Sequence, residues 1–405
     1  MNRKLLIYLD KSFFRIVFYV IVIIGKLRRA NKTNYHIKLE EAKSFLVIRP
    51  GGLGDGLMSI PFLKALRRAY PNNRICLVCV KKNNAAFMHL SFVDEIYVLD
   101  NLGSIHKILI DFIRNRFDVV FDLEPFRKIS SIITYISRAT VRIGFDTNPR
   151  RLLYTHFVTY HNEKSFESWN MVRQLKVLDI EVSKTDAADM SFPLHSEVYK
   201  KVGRVFRSHE IDPQNDFIVA VAPGVLKPYH RWMMPRFSKL IELILYENSN
   251  TKIILVGAAA DLSDAREVLE HLKEHDKVKN FVGKTNFIEA LGILKACKIL
   301  IASDGGIVYM AAAMGCSTIS LWGPGVMDRF KPPGPDHVGI RKDYFCIPCV
   351  NYSRLGEFPP CPYDRRCIND ITPEDVFEKY VDLKRLKESK IEDNNEIMQF
   401  FIEES

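Results

Sequence analysis

The sequence predicts an α/β protein built from two Rossmann-like domains, and three observations carry that reading. Short apolar, β-branched runs alternate with helical patterns through residues 44–380. The alternation starts twice, at Phe45-Leu46-Val47-Ile48 and again at Phe217-Ile218-Val219-Ala220-Val221-Ala222. In each half a loop of glycines and one aspartate, Gly51 to Gly56 and then Asp304-Gly305-Gly306, stands between a strand and a helix.

A chain of 405 residues exceeds one ordinary core, and the two starts divide it into domains at 44–205 and 206–380. A segment 1–34 precedes them and a charged tail, 387–405, follows. Hydrophobic content of 47% with 26% charged residues excludes wholesale disorder and a polytopic membrane protein. The net charge of +10 is concentrated in residues 1–34, where Arg3, Lys4, Lys11, Arg15, Lys26, Arg28, Arg29 and Lys32 face only Asp10. The basic excess therefore points to an anionic surface near that segment, not to a nucleic-acid partner, since no other region interleaves basic and aromatic residues.

Residues 13–24 (FFRIVFYVIVII) are too few to span a bilayer, which needs about 20 apolar residues, and Asp10, Lys11 and Arg15 fall inside any longer window. The stretch is followed by Lys26, Leu27, Arg28 and Arg29 where a signal peptide would have small residues. Basic residues on both flanks suit an uncleaved helix on the inner face of a membrane, with an extra helix packed on the first domain, or a leader, as the alternatives.

In the first domain, strands are expected at residues 45–48, 74–80, 95–99 and 117–123. The loop Arg49-Pro50-Gly51-Gly52-Leu53-Gly54-Asp55-Gly56 follows the first strand and leads into a helix marked by Leu57, Ile60, Leu63 and Leu66. Gly51, Gly52 and Gly54 allow close approach and positive φ, and the helix start offers N–H groups to an anion. The spacing matches neither the dinucleotide fingerprint nor a phosphate-binding P-loop. Asp55, on the first helical turn, is held as the anion by the helix dipole and is a candidate general base; local sequence reads it equally well as a helix cap.

The second domain repeats the grammar with strands at 217–222, 252–256, 277–282, 298–302 and 317–321 and helices at 235–246, 286–297 and 307–314. The helix opened by Asp304-Gly305-Gly306 is a second anion site, with Arg231 as a cation for a phosphate. Cys346, Cys349, Cys361 and Cys367 form C-x2-C-x11-C-x5-C, a spacing that favours reduced or redox-linked structural thiols over zinc.

Three stretches taken together resemble the ADP-heptose:lipopolysaccharide heptosyltransferases, glycosyltransferase family 9. They are Val47-Ile48-Arg49 through Gly54-Asp55 to Arg67; Arg231-Trp232 with Phe237 and Leu240-Ile241; and Ser303-Asp304-Gly305-Gly306 through Ala311-Ala312-Ala313-Met314-Gly315 to Trp322-Gly323-Pro324. The cysteine block followed by Ile371-Thr372-Pro373-Glu374-Asp375-Val376 also looks like that family. The resemblance implies a GT-B architecture, with two domains facing a central cleft. It also implies an inverting transfer with no metal or other cofactor, from an ADP-heptose-like nucleotide sugar to the inner core of lipopolysaccharide. It makes Asp55 the catalytic base in the loop of Gly51, Gly52 and Gly54, and puts the donor diphosphate against Asp304, Gly305 and Gly306. The family's threonine and histidine after the second aspartate are replaced here by Gly305 and Tyr309, and its lysine two residues before the tryptophan by His230. Lys227, Arg231 and Tyr309 are the candidate substitutes on the phosphate side. The implied location is the cytoplasmic face of the inner membrane. The competing readings are another nucleotide sugar on the same fold, or a catalytically degenerate scaffold that binds a nucleotide sugar or glycolipid.

Overall fold

The computed structural model describes residues 16–23, 42–100, 116–161, 165–247, 250–273, 277–350 and 360–389, with scattered positions between 103 and 114. The chain folds as two compact units, the first running to Met190 and the second beginning at Ser191.

The first unit is a six-stranded sheet of β1 (Ser44–Ile48), β2 (Arg74–Val80), β3 (Glu95–Leu99), β4 (Val119–Asp122), β5 (Val141–Phe145) and β6 (His156–Val158). Every pair is parallel, in the order β3-β2-β1-β4-β5-β6. Side chains alternate across a strand, and both faces here are covered, which is why β1 and β2 read as almost unbroken apolar runs. One face puts Leu46, Ile48, Cys76, Val78 and Val120 in a cluster with Phe112, Phe117 and Ile133. On the other, Phe45 meets Tyr70 and Phe121 meets Phe62, with ring centroids 4.5 and 5.0 Å apart.

The second unit repeats this with β7 (Phe217–Ala222), β8 (Thr251–Leu255), β9 (Val278–Asn280), β10 (Ile299–Ser303), β11 (Ser317–Leu321) and β12 (His337–Ile340). These strands are also all parallel, in the order β12-β11-β10-β7-β8-β9. Renumbered from its own first strand, that is the order of the first unit. Val219, Val221, Ile253, Leu255, Ile299 and Ile319 face a helical layer that includes Phe237, from Met234–Glu247, and Tyr380, from Pro373–Glu388. Trp232 ties that layer to the chain after the cysteine block, its indole N–H donating to Ile371 O at 2.9 Å. The helix Ser196–Arg207 belongs to this unit, and Gly292 lets it approach Phe287–Ala296 so closely that an alanine Cβ there would sit 2.8 Å from Val202.

A doubly wound sheet has one switch point, where neighbouring strands lead off to opposite faces, and ligands bind outside the carboxyl ends of the strands there. The switch points are between β1 and β4 in the first unit and between β7 and β10 in the second. The loops at Gly51 and Asp304 follow β1 and β10, so each of the two sequence motifs sits at the switch point of its own unit.

Residues 16–23 form a helix whose Phe18 and Val22 are buried against Ile132 and Leu153 of the first unit. This part of the N-terminal segment is thus a helix packed on the first domain. The rest of 1–34, and the tail beyond residue 389, lie outside the described residues. Among the described residues no helix is long and apolar enough to cross a membrane.

Candidate functional site

In the first unit, β1 ends at Ile48 and a five-residue helix, Leu53–Leu57, begins after Gly52. Asp55 is the third residue of that helix, and its carboxylate Oδ2 accepts the Gly52 N–H at 2.7 Å. Its other oxygen, Oδ1, is 3.2 Å from Arg49 Nη2. Asp55 thus caps its helix, one of its two local readings, and its side chain remains 42% exposed. A carboxylate oxygen has two lone pairs, so each oxygen can still take a further proton donor.

The glycines work by space. None of Gly51, Gly52, Gly54, Gly305 and Gly306 has positive φ, contrary to the expectation for the first loop. A Cβ on Gly51 would lie 2.6 Å from Asp55 Cβ and 2.8 Å from its Oδ2, so only glycine leaves room for the carboxylate. The loop is a seat for its own aspartate, not an anion cradle, because the Gly52 N–H is already engaged and the helix is short. Gly54 is the helix's second residue and its carbonyl accepts Met58 N–H at 2.9 Å.

Arg49 was not singled out as a site residue by the sequence, and it organises this loop. Nearly fully buried, it donates from Nε to Asp55 O at 3.1 Å, from Nη1 to Leu123 O at 2.8 Å and from Nη2 to the Asp55 carboxylate. One guanidinium thus joins the end of β4 to both the backbone and the side chain of Asp55. Glu167, first residue of the helix Glu167–Val172, is buried with Tyr160 OH donating to both its oxygens at 3.0 and 3.1 Å. Burial pushes it up to about 8, against the Arg49 charge and an Asn170 hydrogen bond, with Asp55 and Glu124 raising it further. Burial thus favours its protonated form beside the Arg49–Asp55 pair.

Beneath these groups, Asp122 at the end of β4 is fully buried and pairs with Arg150 at 2.6 Å. It also accepts Tyr154 OH at 2.7 Å, while Arg150 donates to Ser130 Oγ at 2.9 Å. Burial raises the Asp122 carboxyl and Arg150 opposes that. The network fixes the strand end on which Arg49 rests.

In the second unit, Asp304 follows β10, Gly305 caps the helix Gly306–Ala313, and Gly306 is its first residue. The Asp304 side chain is nearly buried, and burial pushes it up to about 6 against the Lys227 charge. His230 Nδ1 lies 3.3 Å from Asp304 Oδ2, but the imidazole is buried without hydrogen-bond alignment. Burial and Lys227 push it down to about 3, so the pair is not an ion pair. Gly325 closes over both, and a Cβ there would be 3.4 Å from the His230 ring and 3.5 Å from the Asp304 carboxylate.

The phosphate-side candidates divide. Lys227 is the cation whose charge reaches both Asp304 and His230, and its amine stands 6.0 Å from the Tyr229 ring centroid. Arg231 is turned to the buried carboxylate of Asp264, which needs a cation more than solvent does. Tyr309 is buried and donates its hydroxyl to Phe330 O at 2.8 Å, so that hydroxyl is engaged within the second unit. The structure thus brings Asp304, Gly305, Gly306 and Lys227 together and gives Arg231 and Tyr309 other partners.

All eight cysteines are free thiols; of the terminal four, Cys349 and Cys361 are exposed and Cys367 is buried beside Gly323. Among the described residues no group of three or more His, Cys, Asp or Glu is placed to hold a metal ion.

Residues 106–357 match glycosyltransferase family 9 (heptosyltransferase). Lipooligosaccharide heptosyltransferase 2 of Haemophilus influenzae is 24% identical over 364 residues, covering 84% of this chain and 99% of that protein. Its counterpart in Haemophilus ducreyi is 22% identical over 304 residues, covering 71% and 85%. The structure of E. coli ADP-heptose LPS heptosyltransferase II superposes with a TM-score of 0.66 at 19% identity, covering 85% of this chain and 99% of that one. That last likeness is one of fold.

Proposed function

The chain belongs to glycosyltransferase family 9 and has the α/β fold of the GT-B class, and from that premise we propose that it transfers a heptose or related sugar. The donor is a nucleotide-diphosphate sugar of the ADP-heptose kind, and the acceptor a hydroxyl on a lipopolysaccharide-type glycolipid. The relatives' names support both: they are lipooligosaccharide heptosyltransferases, and the E. coli structure is of an ADP-heptose LPS heptosyltransferase.

The observation that carries the reading is the open carboxylate of Asp55 at the first switch point. In an inverting displacement the acceptor oxygen attacks the anomeric carbon on the face opposite the leaving group. Asp55 takes the hydroxyl proton as the new C–O bond forms. The bond from the anomeric carbon to the phosphate oxygen breaks, and its electron pair leaves with the nucleoside diphosphate. The first N–H groups of Gly306–Ala313 and the Lys227 ammonium then face the growing charge, which makes this route independent of a metal. His230, where the resembling family has lysine, adds no charge, so Lys227 carries more of that task here.

Asp55→Asn tests the assignment. The amide oxygen still accepts the Gly52 N–H, so the loop persists while the base is lost. Release of nucleoside diphosphate from a panel of nucleotide sugars, with extracted glycolipid as acceptor, should fall by about 100-fold or more. Undiminished turnover would remove Asp55 from the mechanism, and no turnover by the unaltered protein with any donor would favour a binding scaffold. The anomeric configuration of the product, read by NMR, tests inversion. For location we place the protein on the cytoplasmic face of the inner membrane, with its basic residues 1–34 against anionic lipid.

A further inference from the structure

The helix of residues 16–23 has two apolar stripes. Phe18 and Val22, one turn apart, are buried in a cluster with Ile132 and Leu153, and Val17 and Ile21 are partly buried against it. Ile16, Tyr19, Val20 and Ile23 are exposed by 67, 40, 49 and 58%. Their spacing of three, four and seven residues lines one helix face, turned away from the first. A surface helix ordinarily carries polar residues there.

The setting is basic. The buried stripe rests on the helix Lys128–Ile136 and the turn Asn148–Leu153. Of the six cations between residues 127 and 151, Arg142 and Arg150 are buried, Arg150 on Asp122, and Arg127 and Arg151 pair with Glu124 and Asp146, while the chain flanking the helix adds Arg15, Lys26, Arg28 and Arg29. Arg138 and Arg151 are exposed and Arg127 and Lys128 half-buried. Lys and Arg around an apolar stripe complement a surface that offers both anionic headgroups and acyl chains, and repel a basic protein surface such as a second copy.

We infer that Ile16, Tyr19, Val20 and Ile23 are the face by which this chain docks on an anionic lipid surface, while Phe18 and Val22 clamp the same helix to the first unit. The inference rests on the proposed membrane location and deepens it. It says which residues enter the lipid boundary, and that the unit bearing Asp55 is the one held there. A glycolipid acceptor embedded in the same surface is then delivered to the unit that carries the base.

The test is co-sedimentation of the full chain with vesicles of phosphatidylglycerol and phosphatidylcholine, mixed or phosphatidylcholine alone, comparing the unaltered protein with Val20→Glu/Ile23→Glu. Two exposed substitutions should leave the melting temperature unchanged. Binding to the anionic vesicles should fall on the order of 100-fold, from two side chains each contributing about a factor of ten. Retention of vesicle binding by the double variant, with the unaltered protein also bound, overturns the face and leaves the location standing. Failure of the unaltered protein to bind any vesicle overturns both. A drop in melting temperature, or dissociation of a dimer seen by light scattering, shows that the stripe is covered by protein and overturns the inference. Phe18→Ala supplies the second arm: isolated from the clamp, the helix still binds vesicles, but protection of residues 128–136 from hydrogen exchange falls.

Discussion

Replacing Gly51 by alanine tests whether that glycine is there for space. The new Cβ would stand 2.6 Å from Asp55 Cβ, 2.8 Å from Oδ2 and 2.9 Å from Cγ, against ordinary contacts of about 3.5 to 4 Å between carbons. The Asp55 side chain must move by roughly 1 Å, which removes the 2.7 Å bond from Gly52 N–H. Loss of such a cap costs about 1 kcal/mol, and forced repacking adds about 1 to 3 kcal/mol. A base displaced by about 1 Å loses roughly 100-fold in rate. Urea unfolding and nucleoside diphosphate release read the two effects separately, and Asp55→Asn separates them further by losing rate with little loss of stability. The decisive arm is a double variant. In an Asp55→Gly background the clash has no partner, so Gly51→Ala should cost under about 0.5 kcal/mol, a non-additivity diagnostic of contact. An equal cost in both backgrounds would falsify the steric reading, and unchanged activity in Gly51→Ala would separate the loop from catalysis.

Arg49→Met removes the group that holds both the backbone and the carboxylate of Asp55, and should lower kcat by roughly 10- to 100-fold with KM little changed. Arg49→Lys restores the charge but not the three-way grip, and should recover only part of that loss; a KM effect with kcat intact would make Arg49 a binding residue instead. Glu167 gives a pH signature. Its folded value of about 8 is above the ordinary 4.5, so the folded state keeps a proton that the unfolded state has lost between those pH values. Its contribution is complete below about 4.5 and declines by about 1.4 kcal/mol per pH unit as pH rises towards 8. Glu167→Gln, which mimics the protonated acid, should therefore gain stability over the parent by a few kcal/mol between pH 5 and 8 in urea titrations. His230, with a folded value of about 3, acts with the opposite sign, weakening the fold as pH falls below about 6.5, and cancels from this comparison. A difference independent of pH would mean that Glu167 is ionised in the fold.

The parts of the fold legible in the sequence are those whose cause is local or periodic. β1, β2, β7 and β10 are apolar on both faces because helices cover both faces, and that leaves an unbroken run in the text of the chain. β5, β6 and β12 escaped. β5 is VRIGF, where Gly144 makes room for the Tyr154 ring and Arg142 turns inward to the Leu153 and Ala139 carbonyls. β6 has three residues, and β12 is half-exposed at the sheet edge. Their identity as strands comes from neighbours already in place, which no window of sequence contains.

The same division explains the site. Asp55 and Asp304 were legible because a strand, a glycine loop and a helix are contiguous in the chain, and the repetition of that unit predicts two switch points. The partners were not: Arg49 meets Leu123 across 74 residues, Asp122 meets Arg150 across 28, and Arg231 meets Asp264 across 33. These pairings decide what each charge is free to do. Arg231 has the right charge near the right loop, yet a buried carboxylate claims it, while Lys227, four residues before Arg231, exerts its field on Asp304. Charge type and spacing therefore nominate several cations near this loop, and the location of a competing acid shows that Arg231 is turned elsewhere. The His230 position follows the same logic: a lysine there would need an open path to solvent or a diphosphate, whereas this ring is fully buried beside Gly325 and is kept neutral by burial and by the Lys227 charge.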